Sequence, residues 1–341
     1  MPTSSPAGSQ VIEPQRKTFQ HLVDRYGDRP ASRYEEGTID LQATANYHFR
    51  PLWGPELDIY SPDYSVLKLA DPYSYVDPRG FYYAPYVTSR ADLHDSFAAT
   101  LTYLEKRGMF DRLPEAWRTL FASVVLPTRH YEAAAQMISS HAARFGWGTT
   151  ITQCAAYAAF DRVGNAQLLS RAGISFGGGT ADTLAAAKQL WLDDDALQPL
   201  RRLCEETLVV RDWGLAMVRL DVTDQLVYSL LYTHLDDAAI GAGAGTYSLV
   251  SQHLSGWFAD QRRWLDALYQ AWVADPEHGA DNLAALRTAV ADALVGGEAA
   301  LLPLAEKADG LVHAQCRTAL ATAVTETRSR MAGLGITSEE N

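Results

Sequence analysis

At 341 residues with 47% hydrophobic content, the chain can bury a large core, in one big domain or two. Its formal net charge of -12 repels polyanions, which argues against nucleic acid and anionic membrane surfaces as partners. No apolar run approaches the roughly 20 residues that span a bilayer, MPTSSPAGSQVIEPQRK lacks the apolar centre of a secretory signal, and Cys154, Cys204 and Cys316 have neither metal nor disulfide spacing; a cytoplasmic protein with buried thiols is expected.

In chain order, residues 1–18 read as a disordered terminus and 19–89 as an extended interaction arm. The first 90 residues hold 10 of the 15 prolines and 14 of the 35 aromatics. From Arg33 to Tyr64 there is no helical period, and Pro51, Pro55 and Pro62 remove backbone donors. Such a segment cannot fold by itself, yet its rings need cover, from the chain's own body or from another subunit. Aromatics and arginine dominate interface hot spots, so Arg33, Tyr34, Tyr47, Phe49, Arg50, Trp53, Phe81, Tyr82, Tyr83 and Tyr86 are the candidate interface residues. The plainer reading is that the same rings pack on the chain's own helices.

The helical body is expected over 90–335. Leu93, Phe97, Leu101 and Leu104 recur at helical spacing before Gly108. A helix opened by Pro114 runs on to Phe145 with a kink or break at Pro127. An alanine-rich helix follows Gly148, then a turn at SFGGGT, a helix from Ala181 to Leu192 and a polar break at Asp193–Asp195. Long helices are predicted over 197–237 and 246–274, and two amphipathic ones close the chain. No alternating text in the body demands a sheet. The fold class is all-α, a ferritin-like helix bundle with a long, irregular, aromatic- and proline-rich N-terminal arm.

The runs GDRPASRYEEGTIDLQATANYHFRPLW, DPYSYVDPRGFYYAPYVTSRADL and VVRDWGLAMVRLD resemble the beta subunit of bacterial multicomponent monooxygenases, most nearly the phenol hydroxylase branch. The resemblance extends from about Phe19 to about Gly335. It implies a hydroxylase built as a dimer of alpha, beta and gamma protomers, on which a regulatory protein and a reductase dock. It also implies a di-iron centre in the paralogous alpha subunit, and NADH- and O2-dependent hydroxylation of phenol or a related aromatic. Toluene, benzene and alkene monooxygenases share this organisation.

A di-iron bundle needs a carboxylate from each of two helices and a Glu-x-x-His pair from each of two more. No glutamate here is followed by histidine three positions on; after Glu132 the position is Ala135, and Asp260 meets Arg263. Asp275 and His278 have the spacing but lie in the turn DPEHG. No catalytic, cofactor-binding or metal residue is therefore assigned to this chain. The rival reading is an unconventional metal site drawing on His130, Glu132, His234 and Asp237. SFGGGT lacks the lysine and spacing of a phosphate loop. Cys154 has no activating neighbour, Asp193–Asp195 reads as a solvated cap, and Arg211-Asp212-Trp213 as an ion-pair cluster within a long helix.

Overall fold

In the computed structural model, which describes residues 18–40, 54, 56–58 and 60–336, the chain divides into two units, Met1–Ile59 and Tyr60–Asn341. The first contains helices α1 (Gln20–Tyr26) and α2 (Arg33–Thr38). α2 departs from the expectation of no helix after Arg33. Ser32 accepts from the Glu35 amide while the Glu35 carboxylate takes the Ser32 amide, a capping box that starts a helix without any long apolar period. The expected disordered terminus, apart from Thr18, lies outside the described residues.

The second unit opens with an extended strap, residues 60–82, broken by short 3₁₀ turns at Pro62–Tyr64 and Pro72–Ser74 and by a turn at 78–79. Helices follow: α3 (Tyr83–Lys106), α4 (Glu115–Leu120), α5 (Arg129–Phe145), α6 (Thr149–Phe176), α7 (Asp182–Asp193), α8 (Gln198–Leu208), α9 (Trp213–Tyr228), α10 (Leu235–Gly241), α11 (Gly245–Ala274), α12 (Gly279–Val312) and α13 (Cys316–Gly333). Among the described residues there is no strand. α3 begins inside the stretch expected to be arm, because Pro85 sits in its first turn, where a missing N–H breaks no helical bond. Around Pro127 the helix passes through a π turn (Phe121–Val125) and a 3₁₀ turn (Leu126–Thr128) before α5.

Four helices form the centre: α5 packs on α6, α6 on α11, α11 on α9, and α9 back on α5. α12 and α8 cover one flank, and α3 lies across α6 and α11. α12 is, among the described residues, the one helix long and apolar enough to cross a membrane, contrary to the expectation of no such run. Its Leu286, Leu294, Leu301 and Leu304 are buried against neighbouring helices, so core packing accounts for its apolarity.

The helix expected over 197–237 is interrupted. α8 stops at Leu208, and Asp212 caps α9 by accepting from the Leu215 amide. Arg211-Asp212-Trp213 is therefore a helix start, not the middle of a helix. The same Asp212 carboxylate also takes the Ser65 hydroxyl and the Val66 amide, each at 2.7 Å. Further along, Asn282 bonds both the amide and the carbonyl of Lys68, and Asp275 accepts from Ala70. Side chains of the bundle thus stand in for the partner strand that the strap's backbone lacks. Gly214 permits the close approach, since a Cβ there would sit 2.6 Å from Ser65 Oγ. Asp212→Ala removes the cap and both strap bonds, and is expected to cost about 2 kcal/mol by urea unfolding, with faster proteolytic cleavage within 65–70.

Candidate functional site

The centre of the four-helix ring is polar. α5 is apolar along its inner face at Tyr131, Ala135, Ile138 and Ala142, yet places Glu132 among them, fully buried. α6 brings Arg162, 1% exposed, and Asn165; α9 brings Asp224 and Tyr228; α11 brings Trp257. Arg162 donates to Glu132 Oε2 at 3.0 Å through Nη1 and to Asp224 through Nη2. The remaining carboxylate oxygens are met by Tyr228, which donates to Glu132 Oε1 at 2.7 Å, and Tyr131, which donates to Asp224 Oδ1 at 2.5 Å. Trp257 covers the guanidinium, with its ring centroid 4.7 Å from Cζ.

This cluster holds two carboxylates against one fixed cation. Burial is the main cause that pushes Asp224 up to about 7, with the like charge of Glu132 adding to it and Arg162 opposing. A proton on Asp224 near neutral pH brings the cluster to neutrality. Removing one partner of a buried, hydrogen-bonded pair costs roughly 3–5 kcal/mol.

A second layer continues outward. Asp161 accepts from Trp257 Nε1 at 2.9 Å, from Tyr86 at 2.8 Å and from both arms of Arg90 at 2.8 Å. Arg90 also reaches Asp260 at 2.8 Å, a closer partner than the expected Arg263 at 3.6 Å. Arg79 joins Asp260 to Asp77, and Asp77 accepts from Cys154 Sγ at 3.3 Å. Burial pushes the Cys154 thiol up to about 12, which leaves it unreactive. A chain of alternating charges therefore connects the strap to the bundle centre. The sequence reading missed Asp161 and Arg162; their only signal was two adjacent charges inside an alanine-rich helix.

The inward residues do not fit a di-iron centre. They offer two carboxylates and no imidazole, and a guanidinium already contacts both. At an effective dielectric of 20, a divalent ion 4 Å from that guanidinium meets about 8 kcal/mol of repulsion. Among the described residues no group of three or more His, Cys, Asp or Glu converges to hold a metal ion. Nor does the structure assemble the rival set. His130 stacks on Trp191 with Nε2 buried and unpartnered, and burial holds it down at about 4. His234 bonds the Ala314 carbonyl, and Asp237 is exposed. In the Asp193–Asp195 turn, Asp194 pairs with Lys307.

The candidate interface residues separate into groups. Tyr47, Phe49, Arg50 and Trp53 lie outside the described residues, and Arg33 is described only as the first residue of α2. Tyr34, Tyr82 and Tyr83 are exposed, Tyr83 by 73%. Phe81 is half-buried between the guanidinium groups of Arg79 and Arg90. Tyr86 is not a surface residue: it is 7% exposed, stacks on Tyr157 at 4.1 Å and bonds Asp161. Sequence reasoning passed over other exposed apolar side chains, namely Tyr73 and Val76 on the strap and Phe160 and Val163 on α6.

Residues 53–276 match the profile of the family described as Methane/Phenol/Alkene Hydroxylase. The chain is 34% identical over 334 residues to the oxygenase component DmpL of phenol 2-monooxygenase from Pseudomonas sp. (strain CF600), covering 97% of this chain and 98% of that one. It is 24% identical over 291 residues to the hydroxylase component small subunit of propane 2-monooxygenase from Mycolicibacterium goodii, covering 83% and 78%. Among solved structures, phenol hydroxylase from Pseudomonas sp. OX1 superposes with a TM-score of 0.79 at 31% identity, over 98% of this chain and 99% of that one. Toluene 4-monooxygenase superposes at 0.65 with 21% identity, over 87% and 99%, a likeness of fold.

The fold prefers Asp224 protonated, so the stability this group contributes is complete below its ordinary 3.8 and is lost as pH rises through about 7. Unfolding free energy should fall by up to about 1.4 kcal/mol per pH unit between those values and level off above them. Tyr131, Glu132, Arg162, Cys204 and Tyr228 face the same carboxyl. Asp224→Asn should flatten this slope in urea unfolding measured from pH 5 to 8.

Proposed function

The chain belongs to the methane, phenol and alkene hydroxylase family, and from that premise we propose that it is the non-catalytic beta subunit of a phenol 2-monooxygenase hydroxylase. Its work is assembly: with alpha and gamma subunits and a second copy of itself it forms a dimer of protomers in the cytoplasm. The alpha subunit holds the di-iron centre, and a regulatory protein and a reductase dock on the complex. The assembled enzyme hydroxylates phenol or a related aromatic with O2 and electrons from NADH.

The bundle centre carries this reading. Where an iron-bearing bundle converges its ligands, this chain converges Glu132 and Asp224 on Arg162, a cation that it supplies itself. The exposed rings of the strap and of the start of α3 are the second support, since Tyr60, Tyr73, Tyr82 and Tyr83 present apolar area that a lone soluble chain gains nothing by showing. Three free, buried cysteines agree with a reducing compartment. Phenol is preferred over propane or toluene because identity is 34% to the phenol 2-monooxygenase component against 24% and 21% to the others.

Co-expression with its operon neighbours should yield a complex in which a larger helical subunit with paired Glu-x-x-His motifs holds the iron. Stoichiometric iron and turnover in this chain purified alone would overturn the assignment. The double variant Tyr82→Ser/Tyr83→Ser should lower recovery of the co-purified subunits at least about tenfold, while the variant's own melting temperature stays near that of the parent because both rings are exposed.

A further inference from the structure

We infer that Arg162 is the built-in cation of a metal-site scaffold: its guanidinium fills the position between Glu132 and Asp224 and thereby excludes a metal ion from the centre of the bundle. The inference deepens the assembly reading and rests on it only in part, since the exclusion is a property of this chain whatever its partners are.

Four observations converge. Two carboxylates from different helices, Glu132 on α5 and Asp224 on α9, point at one place, and a third helix supplies the positive charge they share. Each carboxylate gives one oxygen to Arg162 and the other to a tyrosine, Tyr228 or Tyr131, so every oxygen of the pair already accepts a hydrogen bond. Arg162 Nε is buried without a hydrogen-bond partner, which a side chain recruited only to satisfy polar groups would avoid. Trp257, from the fourth helix, closes the remaining face of the guanidinium. A planar fork of donors is suited to bridging two carboxylates at once, and its charge is covalently held, so the bundle needs no ion to fold around.

Without the guanidinium, the same centre becomes an oxygen-lined anionic cavity formed by Glu132, Asp224, Tyr131, Tyr228 and Asn165. Oxygen donors of this kind favour hard divalent cations, so Mn(II) is the probe. In the full-length chain, Mn(II) binding read by loss of the free-ion EPR signal should be absent in the parent. One equivalent should bind to Arg162→Ala at least about 100-fold more tightly, and Asp224→Asn in that background should abolish it. Arg162→Met should lower the melting temperature by about 5–10 °C, and adding Glu132→Gln and Asp224→Asn should restore at least half of that loss. The inference fails if the parent binds Mn(II) through Asp224, or if a folded Arg162→Ala chain binds none. It also fails if the triple variant is no more stable than Arg162→Met. This last comparison decides the matter even if Arg162→Ala does not fold. Iron and turnover in the chain purified alone would sink the assembly reading without altering the stability comparison.

Discussion

Two carboxylates in the dry centre of a helical bundle need a cation beside them, and here Arg162 is that cation, with a proton on Asp224 near neutral pH completing the balance. The requirement is electrostatic: burying a lone carboxylate costs several kcal/mol even after relaxation, and two facing each other cost more. With Arg162 between them, and with Tyr131 and Tyr228 taking their outer oxygens, Glu132 and Asp224 become ties between α5, α6 and α9. Trp257 adds α11 to the same knot. The ring of four helices is thus held in register at its centre by one residue.

The knot also reaches the surface. Trp257 bonds Asp161, Asp161 bonds Tyr86 and Arg90, and through Asp260 and Arg79 the charges continue to Asp77 on the strap. The strap is fastened a second time by Asp212, Asn282 and Asp275, whose side chains serve its backbone. An extended segment with few hydrogen bonds of its own is in this way made part of the bundle while its tyrosines Tyr73 and Tyr82 remain outside.

Several features that differ from the sequence reading were written in local chemistry. Ser32 and Glu35 have capping-box spacing, and Asp212 stands where a helix start wants an acceptor, yet the absence of a long apolar period in one case and its unbroken run in the other outweighed them. Tyr83 and Tyr86 look equivalent in sequence. Their fates differ because Tyr83 is the first residue of α3 and stays exposed at its end, whereas Tyr86, nearly one turn further in, meets α6, where it stacks on Tyr157 and bonds Asp161.

The sequence by itself determined the helical class, the positions of α6, α7 and α11 to within a few residues and of α3 to within about two turns, and the lack of any Glu-x-x-His pair, because each is a matter of short-range period or spacing. It also carried the family, through runs that no composition could supply. Only the tertiary structure decided which charges meet. Arg162 lies 30 residues from Glu132 and 62 from Asp224 along the chain, and no local pattern links them. Their meeting is fixed by the closure of α5, α6, α9 and α11 into a ring, a long-range event in which the low dielectric of the interior turns three scattered residues into one hydrogen-bonded unit.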